Sequence, residues 1–232
     1  GQFEAYLQPQ YDIETSKVIS AEALIRWNHP EEGIISPGRF IPLFERNGFI
    51  LRVDEFMWRE ACKNLRSWIN KGYKPVPISV NVSRMHMFDD NLSDKLVNLL
   101  NEYNLPRHLL VLEVTETVYY DDSEAMNRTL NKLRNMGFQI AMDDFGSGYS
   151  SLNMLENMNV DELKIDRAFL SRAGATDNGK VIVQFIIAMA KKLNLRVVAE
   201  GVENVEQAAM LLEFGCNIAQ GYYYSRPVPI DK

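Results

Sequence analysis

The sequence predicts an α/β fold, a (β/α)8-type barrel whose first strand runs antiparallel to the second. Three observations carry this. Short apolar or alternating runs recur along the 232 residues, and most lead into a segment with apolar residues every third or fourth position. That is the grammar of strands alternating with helices on a parallel sheet. The first two runs are joined only by the turn "IETSK", too short for a crossover, so that pair is antiparallel. Finally, seven consecutive runs each carry a polar side chain near the C-terminal end, where barrel strands converge on one face. A doubly wound open sheet is the alternative.

Taken in order, the predicted strands are 3–12, 18–27, 77–83, 109–116, 139–145, 161–166, 196–202 and 219–225. Each is rich in β-branched, aromatic or aliphatic residues and ends near a turn or a helical pattern. Helices are predicted over 54–72, 91–104, 123–137, 179–194 and 205–215. The first places Phe56, Ala61, Leu65, Trp68 and Ile69 on one side and stops at Gly72, as left-handed C-caps often do. No low-complexity stretch, linker or repeat interrupts the pattern. The whole of 1–232 reads as one domain, excised from a longer protein.

Composition narrows the function classes. The net charge is −6 and no lysine or arginine block runs along the chain, so neither DNA nor RNA is an expected partner. The longest strongly apolar stretch, "VIVQFIIAMA", contains Gln184 and is too short to span a bilayer. The opening "GQFEAYLQ" is not a signal peptide, so a cytoplasmic location is expected, though the full-length protein could be membrane-anchored. Cys62 and Cys216 form no motif and read as packing residues in a reducing compartment. His29, His86 and His108 read as surface or turn residues, and Trp27, Trp58 and Trp68 as core.

The chemistry lies at the strand ends. The second strand offers Glu22, the third Asn81, the fourth Glu113 and then Glu116, and the fifth Asp143 and Asp144. The sixth offers Lys164 and Asp166, the seventh Glu200 and Glu203, and the eighth Gln220. Carboxylates gathered in one pocket cannot all stay ionised without a compensating charge. An all-oxygen donor set lacking His and Cys selects a hard ion, Mg²⁺, Mn²⁺ or Ca²⁺, over zinc. The adjacent aspartates suit two ions with one carboxylate bridging, an arrangement typical of phosphoryl chemistry. The "DFG" at 144–146 has no kinase "HRD" loop or strand-borne "VAIK" to accompany it.

These residues resemble the EAL-domain family of cyclic di-GMP phosphodiesterases. The similarity begins at "EALIR" (22–26) and continues through "VNVS" (80–83), "LEVTE" (112–116) and "DDFGSGYSSL" (143–152). It ends with "LKIDR" (163–167), "AEGVE" (199–203) and "QGYYYSRP" (220–227). The resemblance implies a modified (β/α)8 TIM-type barrel with an antiparallel first strand, hydrolysing cyclic di-GMP to linear pGpG in bacterial second-messenger signalling. It implies Glu22, Asn81, Glu113 and Asp143 around one ion and Asp143, Asp144 and Glu200 around a second. Mg²⁺ or Mn²⁺ is expected at both positions, with Ca²⁺ inhibitory. Lys164 would position the attacking water, with Glu22 and Glu200 completing the catalytic set. Arg26, Gln220, Asp166 and Glu203 would contact substrate, and Glu116 would anchor the loop that follows Asp144. A homodimer is implied. The alternative is a catalytically silent cyclic di-GMP receptor or a dimerising interaction module.

Overall fold

The computed structural model describes residues 1–116, 123–145 and 159–230. Among these the strands are β1 (Phe3–Asp12), β2 (Lys17–His29), β3 (Gly33–Ile35), β4 (Ile78–Asn81) and β5 (Leu110–Thr115). They continue with β6 (Gln139–Phe145), β7 (Glu162–Ile165), β8 (Arg196–Ala199), β9 (Ile218–Ala219) and β10 (Val228–Pro229). The helices are α1 (Pro37–Asn47), α2 (Ile50–Asn70), α3 (Arg84–Met87), α4 (Leu92–Glu102) and α5 (Ser123–Asn135). After these come α6 (Arg167–Ala175), α7 (Asp177–Lys192) and α8 (Val205–Glu213).

The sheet closes on itself. From β2 the order runs β4, β5, β6, β7, β8, β9, every neighbour parallel. β1 then bridges the gap, antiparallel to both β2 and β9. This is the predicted barrel with an inverted first strand, and the open-sheet alternative falls away. β3 and β10 lie outside the ring, each antiparallel to one barrel strand. The parallel strands are buried on both faces, as barrels surrounded by helices require. In β5, Leu110, Val111, Leu112, Glu113 and Val114 are all buried. No helix among the described residues is long and apolar enough to cross a membrane.

The helical spacing was a sound guide where it was strong. α2 buries Val53, Met57, Trp58, Ala61, Cys62 and Leu65 along one face, and Cys62 and Cys216 are both buried free thiols. α1 was not predicted. It begins with Pro at its first positions, ends at Gly48 with φ 75° and buries Phe40 and Phe44, a start and stop signal that frames one apolar stripe.

Three expectations change. The predicted strand 219–225 contracts to Ile218–Ala219. Beyond it the backbone turns: Tyr223 N–H donates to Val202 O, and Tyr224 and Ser225 N–H both donate to Gly221 O. The predicted strand 196–202 ends at Ala199, because Gly201 takes φ 67°, which a strand cannot accommodate. His86 is no surface residue. It is fully buried, its ring 4.5 Å from that of Trp58, with Nε2 3.2 Å from Leu51 O and 3.9 Å from Asp54 Oδ2.

Gly221 shows how tightly the last turn is drawn in. A Cβ at this position would stand 2.1 Å from Val202 O, a backbone atom that cannot swing aside. Gly221→Ala is expected to destabilise the protein by ~3 kcal/mol, read as a lowered urea midpoint with an unchanged slope.

Candidate active site

The C-terminal ends of the parallel strands build the site. Lys164 stands between Leu163 and Ile165 in β7, and all three are completely buried. Because strand side chains alternate, the lysine projects opposite to its apolar neighbours, into a group of acids. Its Nζ lies 2.7 Å from Glu200 Oε1, 2.8 Å from Glu113 Oε1, 3.0 Å from Asp143 Oδ1 and 3.4 Å from Glu22 Oε2. Four strands thus deliver one carboxylate each to a single ammonium.

Two adjacent aspartates on a regular strand would point to opposite faces. β6 avoids this with an irregularity. Its register against β7 shifts between Met142 and Phe145, and Asp144 adopts φ 54°, a left-handed conformation that Asp tolerates better than most residues. The kink lets both carboxylates serve one site. Two clusters result, with candidate ligand atoms all within 4.8 Å of one another: Glu22, Glu113 and Asp143, then Asp143, Asp144 and Glu200. Asp143 belongs to both.

Electrostatics show the strain of this arrangement. Burial pushes the carboxyl of Glu113 well above its ordinary range, and Lys164 only partly opposes that. Glu200 is raised for the same reasons. Asp144 is pushed up to about 6, by burial first and then by Asp143 and Asp166. Burial alone would lower the Lys164 ammonium, but Asp143, Glu113, Glu200 and Glu22 outweigh it and leave it raised. Lysine and carboxyls rise together because one positive charge cannot balance four negative ones. The lysine keeps its proton and the surplus carboxylates are driven to take one up.

A divalent cation fits this chemistry. The donors are hard oxygens, and Glu113 Oε2 is buried without any hydrogen-bond donor, an arrangement that a metal ligand resolves. Asn81, the non-acidic donor candidate, stands beside Glu113 in the β4–β5 register.

The structure also shows what holds Asn81. Trp58 Nε1 donates to Asn81 O at 2.9 Å, and Ser83 N–H donates to Asp54 Oδ2 at 2.9 Å. Trp58, read from sequence as simple core, and Asp54 both project from α2. Burial raises the Asp54 carboxyl to about 7 despite its bonds to Ser83. A cavity of about 540 Å³ adjoins this segment, lined by Leu24, Pro37, Ile41, Asn81 and Thr115 among others.

The other predicted residues surround the acidic cluster at different distances. Arg26 folds over the Tyr6 ring, 5.8 Å from its centroid, and Nη1 donates to Ile25 O. Asp166 caps α6, accepting from Ala168 N–H at 2.7 Å. Glu203 pairs with Arg167 at 2.6 Å on the surface. Gln220 is buried and its Nε2 donates to Glu22 Oε2. Glu116 is buried, and the "GSGYSSL" loop it was expected to anchor lies outside the described residues. Of the aromatic residues that could stack on a base, Phe40 is committed to the core, whereas Tyr222 and Tyr223 are exposed. Gln8, Gln10 and Ser20 were not identified from sequence, since alternating polar residues on a first strand usually mark a solvated face.

The model of the EAL domain matches residues 1–227. A bifunctional diguanylate cyclase/cyclic di-GMP phosphodiesterase, MucR of Pseudomonas aeruginosa, is 39% identical over 231 residues, covering 100% of this chain and 34% of its own length. The cyclic di-GMP phosphodiesterase NbdA of the same organism is 40% identical, covering 99% of this chain and 29% of its own. The chain thus spans about a third of these relatives. Among solved structures, the PaMucR phosphodiesterase in complex with c-di-GMP superposes with a TM-score of 0.94, at 39% identity, covering 99% of this chain and 93% of that one. The EAL domain of Mycobacterium smegmatis DcpA gives 0.82 at 33% identity, covering 98% and 92%.

Because Glu113, Glu200, Asp144 and Asp54 all have raised carboxyls in the folded protein, each favours folding below its unfolded value and loses that contribution as pH rises through the folded one. In EDTA the melting temperature is therefore expected to fall by roughly 5 °C or more between pH 5.5 and 8. Asp144, at about 6, and Asp54, at about 7, titrate inside that window. Mn²⁺ should raise the melting temperature more at pH 8 than at pH 5.5, and calorimetric scans across both pH values check this.

Proposed function

This chain belongs to the EAL-domain family, and we propose that it hydrolyses cyclic di-GMP to linear pGpG as the phosphodiesterase unit, residues 1–232, of a longer cytoplasmic or membrane-anchored signalling protein. The single observation that supports this most is the pair of acidic clusters sharing Asp143, on a chain aligned end to end with a c-di-GMP-bound phosphodiesterase. Glu22, Asn81, Glu113 and Asp143 would hold one Mg²⁺ or Mn²⁺, and Asp143, Asp144 and Glu200 a second. Bound there, the ions would supply charge neutralisation for the phosphodiester and lower the pKa of a water.

This chain's own residues supply the rest. The Lys164 ammonium is fixed within 2.7–3.4 Å of four carboxylates, a position from which it would orient a nucleophile as a hydrogen-bond donor. Glu22 and Glu200 hold their places against that ammonium. The cavity of about 540 Å³ borders Asn81 and has apolar walls suited to part of a dinucleotide. Arg26 lies four residues beyond Glu22 on β2, about 13 Å along the strand, at a reach suited to the far phosphate. Asp166 and Glu203 would act on substrate only by leaving the cap and the ion pair they now form. A receptor without turnover has less support, because no member of the ligand set is missing.

A homodimer is the second part of this reading. α7 leaves Val181, Ile182 and Phe185 exposed, the last at 71%, on one face of a long helix. Exposed apolar side chains grouped in this way support a contact between copies along this helix.

Two outcomes check these readings. Chromatography of products should show pGpG with Mg²⁺ or Mn²⁺, none with EDTA, and a loss of about a thousandfold or more in Asp143→Asn. Intact nucleotide under conditions where it binds would refute turnover. Phe185→Glu should shift the sedimenting species from dimer to monomer, and an unchanged mass would remove α7 from the interface.

A further inference from the structure

Behind the acidic cluster lies a second, neutral network. The antiparallel pairing of β1 and β2 sets Gln8 opposite Glu22 and Gln10 opposite Ser20. Gln220, entering from the end of β9, meets both pairs. All five side chains are buried: Gln10 is 1% exposed, Gln220 4%, Ser20 5%, Glu22 6% and Gln8 8%. Gln220 Nε2 donates to Glu22 Oε2 and, at 3.2 Å, to Gln8 Oε1. Gln10 Nε2 donates to Gln220 Oε1 at 3.0 Å. Ser20 Oγ donates to Gln10 Oε1. Gln8 Nε2 donates to Ser225 O at 3.3 Å.

The direction of every bond follows from Glu22. A carboxylate only accepts, so Gln220 must turn its NH₂ toward it. Its carbonyl then faces Gln10, which must answer with an NH₂. The Gln10 carbonyl in turn faces Ser20, which must donate its one hydroxyl proton. Gln8 closes the other side: with its own NH₂ committed to Ser225 O, its carbonyl is left for Gln220. A reversed amide anywhere would set two carbonyl oxygens, or a carbonyl and a carboxylate, against each other in a buried space, where an unmatched polar group is costly.

We propose that Gln10 and Ser20 are positioning residues for the metal site: they lock the Gln220 amide so that it donates to Glu22 and holds that carboxylate in its ligating orientation. Neither touches the ligand atoms. Both act through Gln220. Outer partners of this kind commonly change metal affinity by 10–100-fold. The proposal rests on the metal-site reading above and extends it to two residues on the inverted strand pair.

The test is Mn²⁺ titration calorimetry on the metal-stripped chain without nucleotide, paired with melting temperature in EDTA. Gln10→Glu keeps the shape but removes the donor, so a carboxylate competes for the Gln220 NH₂. It is expected to weaken Mn²⁺ binding about tenfold or more. Ser20→Ala removes the terminal donor and should weaken it about threefold or more. Gln10→Met removes both polar ends, places no competing acceptor beside Gln220, and should fall short of Gln10→Glu. If Gln10→Glu does not fold, Ser20→Ala decides alone. Variants that melt lower in EDTA yet bind Mn²⁺ as the parent does would show a merely structural network and overturn the proposal. A parent that binds no Mn²⁺ would overturn the metal reading and this proposal together. A parent that binds, beside unchanged variants, would overturn this one alone.

Discussion

One fully buried ammonium facing four carboxylates organises this molecule. Desolvating any of these five groups singly would be prohibitive. Together they are tolerable, because each acid has the same cation within 2.7–3.4 Å. The balance is incomplete, and this suits the cluster to the cations proposed for it. Net negative potential in a low-dielectric pocket is what draws and holds divalent cations. The barrel supplies rigidity: strands buried on both faces cannot relax to spread the charges apart.

Two departures from regular geometry make the cluster possible. The first is the kink at Asp144, where φ 54° brings a second aspartate to the face its predecessor already occupies. The second is the inversion of β1. Only an antiparallel neighbour puts Gln8 beside Glu22 and Gln10 beside Ser20 in this register. The same inversion lets the last turn, with Gly221 against Val202, fold over and bring in Gln220. Neutral amides thus stabilise the acidic cluster from behind without adding charge to it.

Much of this was legible because it is written in short-range pattern. The eight barrel strands, the antiparallel start and the long helices follow from alternation, 3-to-4 spacing and one short turn. The acids were recognisable as a group because polar residues interrupted apolar runs at matching places. Misreadings occurred where tertiary contacts overrode local cues. His86, in a short polar-looking segment, is buried because Trp58 and Leu51 O receive it. The "QGYYYS" run has strand propensity, yet backbone bonds to Val202 O and Gly221 O draw it into a turn. Asp166 and Glu203 follow Lys164 and Glu200 by two and three residues, and there one forms a helix cap and the other a surface ion pair.

The sequence alone determined which side chains are available and along which strands they lie, because periodicity and turn length are local properties. It determined the barrel, the hard-ligand character of the donor set and the absence of any basic block for a nucleic-acid polymer. Tertiary structure decided which of those side chains meet. It put Lys164 against four acids, gave Asp143 to both clusters, set Arg26 over Tyr6 and joined Gln10 to Gln220 across 210 positions of chain. Such meetings depend on barrel closure and strand register, which arise from the summed packing of the whole core and are encoded in no single segment.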